Sequence, residues 1–216
     1  MAISASNTQV GMPLLLFGGS FDPVHNAHLA AAFAASRALG DAPVTFLPNA
    51  RSPLKDGAHI SDAERLALLK LALAPYPQLR LSCWEMDRPA PSYMHASLGH
   101  FRAQQGEAPL VLVIGADSLA NLHRWQRWQD FAALCHLLVL PRPDAPAADA
   151  RVLAAFDEAD ASQLLTRPAG CRLHLTGSMI DLSSTQVRAQ LAAGLRPDSL
   201  PVSVADYIDK HRLYRD

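Results

Sequence analysis

The stretch Leu14–Phe33, LLLFGGSFDPVHNAHLAAAF, decides the fold. An apolar run of strand length breaks at Gly18-Gly19 and passes through Ser20, Phe21, Asp22 and Pro23. Two histidines three positions apart, His25 and His28, then lead into an alanine-rich helical pattern. After a buried strand, two glycines permit a tight turn and close backbone approach, so amide N–H groups can face a ligand unshielded by Cβ atoms. A helix starting near His28 brings its unpaired N–H groups and the positive end of its dipole to the same place. His25 and His28 add two more donors, and Pro23 stiffens the loop between glycines and helix. Such a place suits a phosphate. Taken alone, Gly-Gly after a strand is also a common turn. H-x-x-H spacing could be a metal fragment, but no third ligand is obvious and the carboxylate of H-E-x-x-H is absent, so no metal-ligating set is assigned.

Working outward, the remainder alternates two periods. Apolar runs at Leu14–Phe17, Val44–Leu47, Leu79–Ser82, Leu110–Ile114, His136–Leu140 and Arg172–Leu175 predict buried strands. Helical patterns fall at His28–Leu39, Asp62–Leu73, His95–Gln104, Trp128–Leu134, Val152–Ala159, Ser184–Ala193 and Ser203–Lys210. This order predicts an α/β fold, a Rossmann-like doubly wound parallel sheet with helices on both faces and helices at the C-terminus; ligands would bind at the carboxyl ends of the strands. Ser183 or Ser184 can cap the next-to-last helix, Gly194 sits where its C-cap belongs, and Ser203 can cap the last. Pro141–Ala150, PRPDAPAADA, reads as an exposed connection and not a domain boundary, because strand pattern returns after it.

Composition narrows the function classes. The chain has 216 residues, half of them hydrophobic, enough for one α/β domain with its own core. Residues 1–11 read as a loose lead-in and 12–216 as a single domain. A formal net charge of -1 gives no long-range drive toward nucleic acid or an anionic membrane, which favours small-molecule work. Cys83, Cys135 and Cys171 form no C-x-x-C pair and suggest reduced thiols in a cytoplasmic protein. The start has no basic n-region, and its apolar run is too short for a secretory h-region or a membrane span.

On these residues a resemblance can be stated. GGSFDPVHNAHL resembles the signature of the nucleotidyltransferases with the H-x-G-H motif, and DLSSTQVRAQL, near the C-terminus, resembles the I-S-S-T-x-I-R segment of small adenylyltransferases. IGADSLANLHRWQRW, Ile114–Trp128, is similar to the I-G-x-D-S-L…W segment of the nicotinate mononucleotide adenylyltransferases. PSYMHASL resembles their S-Y-T-x-D-T-L, PNARSPLKDG their P-x-x-x-P-P-H-K loop, and the terminal YIDKHRLY is also typical. The likeness runs from about Leu14 to Tyr214. Phosphopantetheine adenylyltransferase shares the two end motifs but lacks the Trp-bearing segment, and is the alternative; a nucleotide-binding module without chemistry is a third reading. Ser20 is not in a G-x-S-x-G elbow, which argues against a serine hydrolase.

The resemblance implies adenylyl transfer from ATP to nicotinate mononucleotide, with release of pyrophosphate and with Mg2+ accompanying ATP. Gly18, Gly19, Ser20, Phe21, His25 and His28 would surround ATP, Gly115 and Asp117 would lie against its ribose, and Ser183, Ser184 and Arg188 on its phosphates. Lys55, Ser92, Tyr93 and Trp125 would face the mononucleotide, with Arg142 near its phosphate; His25, His28, Lys55 and Arg188 would carry catalysis. An indole offers a flat π face to a cationic pyridine ring. No nucleic-acid or membrane partner is expected, and homo-oligomerisation is left open. Three departures stand out: Ala27 replaces the Gly between the histidines, Met94 and Ala96 replace the Thr and Asp of S-Y-T-x-D-T-L, and Leu54 replaces the His before Lys55.

Overall fold

A computed structural model describes residues 11–50, 60–177, 180 and 182–215. Seven parallel strands form one sheet: β1 Leu14–Gly19, β2 Val44–Pro48, β3 Leu79–Leu81, β4 Leu110–Gly115, β5 His136–Leu140, β6 Asp157–Glu158 and β7 Cys171–His174, in the order β3-β2-β1-β4-β5-β7-β6. The helices are α1 Asn26–Ala38, α2 Asp62–Leu73, α3 Met94–Gln105, α4 Ala116–Ala120, α5 Phe131–Leu134, α6 Ala150–Ala155, α7 Ala161–Leu164, α8 Ser184–Ala192 and α9 Val202–His211.

Alternation of side chains along the strands explains why the sheet is covered on both sides. Leu15, Phe17, Val44, Phe46, Val111 and Val113 join one core with Leu29 and Ala32 of α1, Leu68 and Leu69 of α2, Val187 of α8 and Ile208 of α9. Their neighbours Leu16, Leu112, Ile114, Leu137 and Val139 join a second core with Leu98 of α3, Leu119 of α4, Phe131 of α5 and Val152 of α6. The strand order reverses between β1 and β4, so the loops leaving their carboxyl ends run to opposite faces and open a crevice there.

The doubly wound architecture and the six expected strands are observed. The helix expected over Val152–Ala159 is corrected: α6 stops at Ala155, Phe156 turns extended (φ -126°) into the second core, and Asp157–Glu158 pair with β7 as a short edge strand. Both edge residues are exposed and acidic, so no apolar run announced them. The Trp128–Leu134 pattern splits into a 3-10 turn over Trp128–Asp130 followed by α5. Ser203 does not cap α9. Pro201 holds that position, a helix start suited to a residue with no N–H to donate, and the Ser203 hydroxyl donates to the Leu71 carbonyl. Ser183 does cap α8, in a reciprocal box with Gln186, and Gly194 takes the left-handed turn after it (φ 76°).

Candidate active site

The loop leaving β1 builds the crevice. Gly18 and Gly19 end the strand; a Cβ on Gly18 would lie 2.7 Å from Met94 Cε, so a side chain there would strike the start of α3. The chain turns through Phe21 in the left-handed region (φ 48°), a conformation disfavoured for a bulky residue. The Phe21 ring is buried among Phe17, Phe46 and His28, 5.1–5.7 Å between centroids. The Phe21 ring is therefore closed off from a ligand. α1 then begins with His25 as its N-cap residue.

His25 and His28 stack with their ring centroids 3.8 Å apart, and the His25 N–H donates to His28 Nδ1 at 3.2 Å. His25 is 2% exposed, and neither of its ring nitrogens has a hydrogen-bond partner. An orphaned buried imidazole costs free energy unless something arrives to pair with it, and here it stands at the N-terminus of a long helix behind a glycine turn. Burial, reinforced by the positive charge of Arg142, pushes the His25 pKa down to about 4, so the ring is neutral at pH 7. The same interaction places Arg142, after the carboxyl end of β5, within electrostatic reach of His25. Ala27 lies between the histidines and is buried.

α8 closes the site from the other end of the chain. The Ser184 hydroxyl donates to the Pro23 carbonyl at 3.1 Å across 161 positions, and Arg188 Nη1 donates to the Asp22 carbonyl at 2.7 Å. Arg188 Nη2 also reaches Thr185 Oγ1, 3.2 Å away, which orients the guanidinium along the helix N-terminus. The two end motifs of the sequence are therefore one structural unit. Gly115 and Asp117 lie at the β4 to α4 junction; a Cβ on Gly115 would fall 2.5 Å from Asp117 Oδ1, so the glycine leaves room for the carboxylate to fold back over the turn.

On the α3 side, Ser92 and Tyr93 precede the helix, with Tyr93 as its N-cap residue. Trp125 comes after a 3-10 turn over Leu122–Arg124 and packs edge-on against Phe131, 6.2 Å between centroids, with part of the indole exposed. His95 pairs with Asp130 at 3.0 Å, and Arg127 holds the same carboxylate at 2.6 Å, which ties the Ser92–Tyr93 segment to the tryptophan-bearing segment. Lys55 lies outside the described residues.

Three further residues brace the site from outside those that the resemblance assigns to it. Arg65, 1% exposed on α2, donates to backbone carbonyls of the loops after β1 and β2. Its signal was an Arg in line with Leu68, Leu69 and Ala72, the buried stripe of the helix. Tyr214 donates to Asp22 Oδ1 at 2.6 Å, fastening the C-terminal segment under the same loop. Glu85, 2% exposed, accepts from Ser97 at 2.5 Å and bonds Ser92; burial outweighs these bonds and raises its pKa. Asp22, Tyr214 and Glu85 carry no local sequence pattern that would have paired them.

Known proteins share this fold and much of this sequence. Residues 16–190 match the cytidylyltransferase-like family. The nicotinate-nucleotide adenylyltransferase of Aeromonas salmonicida (strain A449) is 39% identical over 94% of this chain and 97% of its own length. That of Legionella pneumophila (strain Lens) is 36% identical over 94% and 99%. Among solved structures, Plasmodium falciparum nicotinic acid mononucleotide adenylyltransferase complexed with NaAD superposes with a TM-score of 0.72 over 94% of this chain and 98% of the other, at 14% identity. With residues 16–190 matching the family and 36–39% identity to these relatives over nearly the full length of both chains, the chain belongs to the cytidylyltransferase-like family and, within it, to the nicotinate-nucleotide adenylyltransferases.

Proposed function

We propose that the protein transfers the adenylyl group of ATP to nicotinate mononucleotide, giving nicotinate adenine dinucleotide and pyrophosphate, a step of NAD biosynthesis. The observation that carries this reading is the junction of the two end motifs. Ser184 and Arg188 of α8 bond the Pro23 and Asp22 carbonyls, so donors from both ends of the chain surround one place at the N-terminus of α1. The glycine turn, the N-terminus of α1, the unpaired ring nitrogens of His25 and the Arg188 guanidinium offer donors or positive charge there, which suits a polyphosphate.

The chemistry is an in-line displacement. A 5′-phosphate oxygen of the mononucleotide attacks the α-phosphorus of ATP as the bond from that phosphorus to the bridging oxygen breaks, and pyrophosphate leaves with the electron pair. No side chain becomes covalently attached, so catalysis is positioning together with stabilisation of growing negative charge. The Gly18–Gly19 turn offers backbone amides, while His28, the neutral His25 and Arg188 act on the reacting phosphates. Gly115 and Asp117 hold the ribose; the Asp117 carboxylate, close to the start of α4, accepts hydrogen bonds from its hydroxyls. Ser92, Tyr93 and Trp125 take the pyridine end, with the indole face for stacking, and Arg142 and Lys55 neutralise the mononucleotide phosphate.

Among the described residues no three His, Cys, Asp or Glu side chains come together as a metal cage. A Mg2+ ion would come in on the triphosphate oxygens and retain much of its water, as that hard, slowly dehydrating ion prefers. When bound, such an ion neutralises phosphate charge. Small-molecule substrates and free cysteines fit a cytoplasmic enzyme, and no described helix is long and apolar enough to cross a membrane.

The test is pyrophosphate release from Mg-ATP with nicotinate mononucleotide, nicotinamide mononucleotide or phosphopantetheine as acceptor. Highest kcat/KM with nicotinate mononucleotide is expected. Turnover confined to phosphopantetheine would assign the alternative acceptor, and silence with all three would leave a binding module.

A further inference from the structure

We propose that Arg65 is a positioning residue of the transfer reaction, holding the phosphate-side loop after β1 in working order from behind; the proposal rests on the adenylyl-transfer reading. Arg65 occupies a core-facing position of α2, where an aliphatic side chain would serve the helix as well. Its guanidinium instead makes three bonds in three directions: Nη1 donates to the Ser20 carbonyl at 2.7 Å, and Nη2 donates to the Asn49 carbonyl and to Asp62 Oδ1, both at 2.6 Å. Ser20 and Asn49 come directly after β1 and β2, neighbours in the sheet whose carboxyl ends are also joined by the Asn49 N–H to the Gly19 carbonyl at 3.1 Å. One rigid fork thus cross-links two loops on the rim of the crevice.

The bond to Ser20 has a directional effect. In a trans peptide the carbonyl and the next residue's N–H point opposite ways. With the Ser20 carbonyl drawn toward α2, the Phe21 N–H is turned away from it. That peptide leads into the unfavourable left-handed backbone of Phe21 (φ 48°), which persists only if its surroundings hold it. Two anchors do so, the Arg65 fork on the carbonyl and the aromatic box around the ring. Because the Phe21 ring meets His28 edge-on at 5.1 Å, relaxing the peptide also shifts the support of a histidine placed on the reacting phosphates. Arg65 itself, 1% exposed, touches no reacting atom.

The experiment compares wild type with Arg65→Lys, which keeps the charge but not the fork, and Arg65→Met, which keeps only an apolar stem. Steady-state kcat and KM are measured for both substrates, and amide hydrogen exchange is followed in the unliganded proteins. Arg65→Met should lose about 100-fold in kcat, the scale of an ångström of misplacement, with each KM changed by less than about threefold. Arg65→Lys should recover about tenfold of that loss. Exchange should accelerate over residues 18–24 while β4 and β5 keep their protection. A kcat within about twofold of wild type in both variants would overturn the proposal. So would exchange that accelerates uniformly through the sheet, the mark of a merely structural role. Wild type silent with every acceptor would overturn the adenylyl-transfer reading and Arg65's part in it together; active wild type with an indifferent Arg65→Met would overturn only the latter.

Discussion

Acidifying the unliganded protein from pH 7 to pH 5 should cost about 2 kcal/mol of stability through His25 alone. Burial first, and the charge of Arg142 second, lower the His25 pKa from an ordinary 6.5 to about 4 in the folded chain. Between those values the unfolded chain binds a proton that the native chain refuses. The unfolding free energy therefore rises with pH, by up to about 1.4 kcal/mol per pH unit inside the window. The stabilisation is nearly complete above pH 7, falls as the pH drops through 6.5, and stops falling below about 4. His136, also pushed down to about 4 chiefly by burial, adds a comparable loss in the same window. Urea unfolding at pH 7 and pH 5 separates the two when wild type is compared with His25→Gln, which carries no titrating group there. The variant should lose about 2 kcal/mol less than wild type on acidification. Equal losses in both proteins would mean that the His25 imidazole is solvated and titrates alike in the folded and unfolded chain, against its burial. Arg142→Ala should move the wild-type difference in the same direction, though less, because it removes only the smaller of the two causes.

The same geometry sets three other outcomes. His28→Ala should lower kcat by about 100-fold or more, the scale of losing a transition-state donor, with its melting temperature checked in parallel. If the indole stacks on the pyridine ring as proposed, Trp125→Ala should raise KM for the mononucleotide by about tenfold while leaving KM for ATP within about twofold. Ser183→Ala removes the cap that accepts from the Gln186 N–H and should cost about 1 kcal/mol in urea unfolding.

The sheet was legible because burial on both faces leaves strands as short apolar runs between helical patterns, and β5, His136–Leu140, lies where its run predicts. Two polar residues at an edge leave no such trace, hence β6. The turn and helix starts that carry the glycines, His25, His28, Gly115, Asp117, Ser183, Ser184 and Arg188 were legible because such pieces are local and occupy contiguous sequence. What holds those pieces is not local. The Arg65 fork, the Tyr214 hydroxyl on Asp22 and the Glu85–Ser97 bond join segments that meet only after the chain folds, so no spacing rule announces them. Arg65 alone left a clue, a cation in the apolar stripe of α2. The unpaired state of His25 was equally invisible, since H-x-x-H gives the spacing of two rings and not what surrounds them.

In the proposed reaction the α-phosphorus of ATP moves to the mononucleotide in one step. Supplying ATP labelled with 32P at the α position, together with Mg2+ and nicotinate mononucleotide, tests it directly when products and protein are separated by chromatography. All transferred label should appear in nicotinate adenine dinucleotide, one per pyrophosphate released, with none on the protein. Label recovered as AMP, or bound covalently to the chain, would contradict it.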